Sequence, residues 1–300
     1  EMCIRDRENR EVHKFLRAIG FSDITKKDLE MILDEVITRP EIMKITKDSE
    51  GNEFAELSGS FAANAGITVR GTYQEDDSFH MDYYYPYVFG TSITTNEQID
   101  VEKHAEKESY AGVCDEVNLG VTLIFYIQNV ADYLAETNRH LSKIHYGAML
   151  AGLSTEGKIL CPVVERKKND VPAIQKNDRH NQLIAQAREG DEDAIESLTL
   201  EDMDTYALLS QRVMKEDIFS IVKSTFMPFG IESDQYTVLG EIIDCVTMEN
   251  KLTHEKLYGM KLLCNNIQFD VCINEKDLLG EPATVSYTHL RAHETSAHLV

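Results

Sequence analysis

The stretch Leu262-Leu-Cys-Asn-Asn-Ile-Gln-Phe-Asp-Val271 constrains the fold more than any other in the chain. Apolar residues precede Asn265-Asn266 and alternate with polar ones after it, and the pair tolerates the positive φ a two-residue hairpin turn requires. With the turn fixed, the register follows. Leu262 and Cys264 share a face with Ile267, Phe269 and Val271, while Lys261, Gln268 and Asp270 face away. A second apolar run, Tyr236 to Val246, precedes Lys256 to Cys264 across a polar loop, so the spacing predicts a small antiparallel meander. Such a meander needs further strands to cover its apolar face.

Other segments carry weaker versions of the same signals. Thr25 and Asp28 form an N-cap pair ahead of Leu29, Ile32, Leu33, Val36 and Ile37, and Pro40 stops the run, which predicts a helix over 26–38. Gly66 to Gly71 and Phe79 to Phe89, separated by the polar turn Glu75 to Ser78, read as a hairpin. Val121 to Ile127 is β-branched and aromatic enough for a buried strand, and Val130, Tyr133 and Leu134 suggest a following helix. Leu150 to Val164 reads as a hairpin turning at Thr155-Glu-Gly-Lys158. Residues 165–180 are polar and locally basic, which marks a linker, and helical periodicity resumes beyond it.

The expected architecture is therefore α+β. It comprises a mixed N-terminal domain over 12–165, a linker and helical connector over 166–230, and a small antiparallel, barrel-like β domain over 231–284 that lacks its last strand.

Thirty basic residues against 52 acidic ones give a formal charge of -22, a field that repels a phosphate backbone. Nucleic acid is thus excluded as an expected partner. The most apolar run, Val121 to Ile127, is far short of the roughly 20 residues of a membrane helix, so no membrane partner is expected either. Six cysteines without a C-x-x-C pair read as reduced, packed thiols of a cytoplasmic protein. No cofactor is expected, and the partner is an unknown protein or small molecule.

Few side chains point to chemistry. In an extended chain Glu102, His104, Glu106 and Glu108 project to one side, where they could ligate a divalent ion or orient His104 as a general base. The plainer reading of this segment is a solvated, charged approach to the following strand. Arg70, between Gly66 and Gly71, could hold an anion bidentately or form a structural ion pair. Tyr83, Tyr85 and Tyr87 share a strand face and could stack on bases or sugars, or pack in the core. Cys114 lacks an oxyanion donor and reads as a packed thiol.

The blocks HKFLRAIGFS (13–22), GITVRG (66–71), HAEKESYAGVCDEV (104–117), GLSTEGKIL (152–160), GDEDAIESLTLEDMDTY (190–206) and FDVCINEKDLLGEP (269–282) resemble domain-of-unknown-function family 3881, uncharacterised proteins of gut-dwelling Gram-positive bacteria. The resemblance implies a bacterial cytoplasm and no established activity. Family members resemble chains that begin with Met where Val12 stands and close with a tryptophan-containing strand after GEP, whereas this chain has no Trp. Residues 1–11 read as foreign or upstream sequence, with MCIRDR resembling translated adapter sequence. The tail over 285–300 likewise resembles adapter sequence, and its histidines, including His289 and His293 four apart, are expected in a poorly packed segment with no metal.

The favoured reading is a noncatalytic binding or interaction protein. The alternative is a metal-assisted hydrolase centred on His104, Glu106 and Glu108, with Arg70 holding an anionic substrate.

Overall fold

The computed structural model describes residues 12–103, 107–138, 147–160, 224–229, 235–284 and 287–299, all of which fall within one compact unit. Helix α1 (Lys26–Thr38) begins where Thr25 accepts a hydrogen bond from the Asp28 N–H, and it buries Leu29, Ile32, Leu33 and Val36. Its apolar face lies on an antiparallel four-stranded sheet, in the order β1 (Ile42–Lys47), β2 (Glu53–Ala62), β3 (Ala65–Tyr73) and β4 (Phe79–Val88). Ala55, Leu57, Ile67 and Val69 meet the helix from one face of that sheet. The opposite face carries Glu56, Ser58, Thr68 and Arg70, all buried.

The second sheet draws on the rest of the chain. Its elements are β5 (Ile99–Lys103), β6 (Tyr110–Glu116), β7 (Val121–Ile127), β8 (Ala148–Leu160), β9 (Thr225–Pro228), β10 (Tyr236–Glu249), β11 (Lys256–Cys264), β12 (Ile267–Asn274), β13 (Leu278–Leu279) and β14 (Tyr287–Leu299); helix α2 (Val130–Thr137) follows β7. The strand order is β13-β8-β12-β11-β10-β14-β7-β6-β5, with β9 on β10. Asn265 and Asn266 both adopt positive φ, and Leu262 lies opposite Phe269 in the expected register.

Helices and mostly antiparallel strands give the coarse class expected, with strands predominating. The segments read as an N-terminal domain over 12–165 and a small C-terminal β domain over 231–284 share this one sheet. β12 runs parallel to β8, a pairing between distant segments that no local pattern announces. The helical connector expected over 166–230 lies outside the described residues, apart from 224–229, which contain β9.

Two expectations are corrected. Leu150 to Leu160 does not turn: β8 is continuous, and Gly157 marks close approach instead, since a Cβ there would stand 2.5 Å from Leu290 Cδ2 and 2.9 Å from Ile273 Cδ1. Nor does the sheet lack a strand after residue 284, because β14 pairs with β10 on one side and with β8 on the other, and touches β7 near its end. Backbone pairing is indifferent to side-chain identity, so a segment needs only a few apolar residues on its inner face to fill such a seat, and Leu290 and Leu299 supply them. Along this strand the backbones of His289 and His293 are four residues apart, roughly 13 Å, so they do not form the one-turn helical pair of a zinc motif.

The N-terminal 3₁₀ turn Lys14–Ile19 is held by residues far along the chain. Asn250 Nδ2 donates to the Ile19 carbonyl at 2.8 Å, Thr253 Oγ1 to Gly20 at 2.6 Å and Asn274 Nδ2 to Arg17 at 3.1 Å. Arg17 also forms an ion pair with Asp277. Gly20 needs its glycine, for its φ is +94° and a Cβ would lie 2.7 Å from Asn250 Cβ.

Candidate functional site

Cross-strand neighbours share a sheet face, so the pairings Glu56↔Arg70 and Arg70↔Tyr83 align a row of polar side chains across β2, β3 and β4. Arg70 is only 3% exposed. Its Nη1 donates to Tyr83 Oη at 2.8 Å, and its Nη2 to Tyr85 Oη at 2.8 Å and to the carbonyls of Ile127 and Gln128 at 3.0 and 2.8 Å. Each tyrosine hydroxyl passes its own proton on, Tyr83 to the Glu108 carbonyl and Tyr85 to the Gln128 carbonyl.

Glu56 Oε1 lies 3.7 Å from Arg70 Nη2, while Oε2 accepts from the Ala131 N–H in the first turn of α2 at 2.6 Å. Burial pushes the Glu56 carboxyl above its ordinary value despite the opposing pull of Arg70 and of that N–H. The seam thus joins the four-stranded sheet to the β7–α2 corner. Every hydroxyl in it is engaged, whereas the enclosed Arg70 Nε has no hydrogen-bond partner.

Tyr87 continues the same face and is buried. Its ring crosses Gly66, where a Cβ would lie 2.7 Å from Tyr87 Oη. Tyr83 and Tyr85 direct their hydroxyls at Arg70 and are half-buried, whereas Tyr87 is buried beside Phe89, with ring centroids 4.5 Å apart.

Glu108 anchors a second cluster. Its Oε1 accepts from Ser49 Oγ at 2.5 Å and Lys103 Nζ at 2.7 Å, and its Oε2 from Tyr110 Oη at 2.6 Å. Burial alone would raise this carboxyl, but the hydrogen bonds from Lys103, Ser49 and Tyr110 outweigh it and hold the group below its usual range. Lys103 Nζ also donates to Ser49 Oγ at 2.8 Å, a juxtaposition with the outline of a serine–lysine dyad. The dyad is not activated: the ammonium is paired with Glu108, and the serine proton is directed at a weakly basic carboxylate. Both Glu108 oxygens are committed to protein donors, and His104 and Glu106 lie outside the described residues. Among the described residues no group of three His, Cys, Asp or Glu side chains could hold a metal ion. Cys114 is buried, and its thiol is pushed up to about 11, mainly by burial.

The open surface with the most distinct chemistry was not among the sequence candidates. A groove of about 450 Å³ runs between α1 and the β10–β11 turn. Phe21 and Ile32 form its floor, Met31 and Leu252 stand at its mouth 55% and 51% exposed, and Asp23, Asp28 and Glu35 rim it. Glu255 also lines it, held below its usual range because hydrogen bonds from Lys276, Ser22 and Asn274 outweigh the effect of burial. Two signals were present in the sequence. Met31 falls off the stripe of Leu29, Ile32, Leu33 and Val36, and Leu252 is a lone aliphatic residue in a polar turn.

Residues 16–286 match a protein family described as "Domain of unknown function, E. rectale Gene description (DUF3881)". The chain belongs to this family. The DUF3881 match spans the seam, the Glu108 cluster and the groove, and β14 begins just beyond it. Neither a curated protein nor a solved structure matches the chain significantly. No helix among the described residues is long and apolar enough to cross a membrane.

Proposed function

We propose that this DUF3881 protein is a noncatalytic, cytoplasmic binding protein that takes an amphipathic, basic segment of a partner protein into the groove between α1 and the β10–β11 turn. The observation that carries this reading is the pairing of exposed apolar side chains, Met31 and Leu252, with an acidic rim at Asp23, Asp28 and Glu35. Apolar anchors would enter the groove while flanking Lys or Arg side chains meet the rim, the usual division of labour when a helix lies in a groove. The polar clusters support the same reading from the other side, because all but Arg70 Nε of their buried donors are consumed internally.

The test uses a fluorescein-labelled peptide of leucine and lysine with helical amphipathic spacing, titrated against the full chain and followed by anisotropy. Met31→Glu and Leu252→Glu make the protein more acidic, so attraction to net charge alone would hold or strengthen binding. Groove binding predicts a loss of about tenfold or more. Binding that is unchanged or tighter in both variants overturns the proposal.

A further inference from the structure

The four-stranded sheet has an open side at β1. Among the described residues β1 pairs with β2 alone, and Ile42, Met43 and Ile45 are 45%, 48% and 47% exposed. An apolar edge strand of this kind is a template for pairing with another chain. The local charge selects the occupant. In a chain carrying -22 overall, the segment Glu41 to Lys47 holds two lysines and one glutamate, so a second acidic copy is repelled less here than elsewhere.

The sequence of the edge is also complementary to itself. Two copies related by a two-fold axis normal to the sheet pair antiparallel with opposed residues on the same face. The register centred on Lys44 sets Met43 opposite Ile45 twice and brings Lys47 opposite Glu41 twice, Glu41 standing just ahead of the strand, where its carboxylate also meets Lys251 Nζ at 3.5 Å and accepts from the Ser60 N–H at 3.2 Å. Shifting the centre by one residue either way removes both matches. Lys44, which would meet its own copy, is already held by Asp132 Oδ2 at 2.6 Å on the α2 side. Asn138 Nδ2 donates to the Lys47 carbonyl at 3.0 Å, which confines the backbone ladder to 42–46 and leaves Lys47 to contribute its side chain.

We propose that β1 pairs with β1 of a second copy of this chain in that register, extending the four-stranded sheet into a continuous eight-stranded one. A ladder of five residues a side, 42–46, makes a small interface, so the dimer is reversible rather than obligate.

Sedimentation equilibrium of the full chain at high micromolar concentration tests this. The wild type should dimerise. Lys47→Glu and Glu41→Lys should each weaken the dimer by about tenfold, because each sets like charges opposite one another at two symmetric positions. The double exchange, Glu41→Lys with Lys47→Glu, should restore association to within about threefold of wild type. Unchanged melting curves would establish that the surface variants fold. A monomeric wild type, a dimer indifferent to Lys47→Glu, or a double exchange that fails to recover would each overturn the proposal.

Discussion

The Arg70 seam and the α1 groove flank the same four-stranded sheet and use opposite chemistry. In the seam, a buried guanidinium and carboxylate meet two half-buried phenols, and their hydrogen bonds run to one another, to backbone carbonyls or, for Glu56, from a backbone N–H. In the groove, aliphatic side chains face solvent with carboxylates around them. The difference teaches that titratable residues gathered in one place can spend nearly all of their hydrogen-bonding capacity inside the fold, with Arg70 Nε the exception here. Unspent capacity for interaction lies in the groove, where apolar surface has no internal partner.

The contrast breaks most readily at Arg70. Arg70→Met should destabilise the fold by about 3–5 kcal/mol in urea unfolding, because it leaves Glu56 buried without its counter-charge. Adding Glu56→Gln should recover part of that loss, and a substitution costing nothing would mean the seam is not holding the β7–α2 corner to the sheet.

A smaller effect is expected at Glu108, whose carboxylate accepts from three side chains at the margin of the fold. Glu108→Gln should cost about 1–2 kcal/mol at neutral pH. The group's folded value lies below the usual 4.5, so its stabilisation is complete above that pH and is lost as pH falls through the folded value. Thermal unfolding across pH 3 to 7 should therefore show a shallower acid limb in the variant than in the wild type.

The smallest effect belongs to the groove. Met31→Glu and Leu252→Glu should each shift stability by less than about 0.5 kcal/mol while the peptide affinity falls. A large loss of stability would assign the groove to the core rather than to recognition.

Much of the local structure was legible in the sequence. The helix over 26–38, the strand over 121–127 and the Asn265-Asn266 hairpin follow from spacing and turn chemistry, which act over a few residues. The seam was harder to read, because Glu56, Ser58, Thr68 and Arg70 alternate with apolar residues and so resemble a solvated sheet face. Only the packing of the β7–α2 corner, more than fifty residues away, turns that face inward. Gly157 misled for a related reason: glycine marks both turns and close approach, and the atoms it makes room for come from β12, β13 and β14. The groove left a faint trace in Met31 and Leu252, but its shape depends on two segments more than 200 residues apart.

The clamp on the 3₁₀ turn also bears on how the chain reaches its fold. Asn250, Thr253 and Asn274 supply donors to the carbonyls of Arg17, Ile19 and Gly20, groups separated by more than 230 residues. On a ribosome the 3₁₀ turn therefore emerges more than 230 residues before the side chains that fix it. Such long-range closure predicts slow, late-committing folding, with the turn dependent on protection until residues 250–274 have emerged.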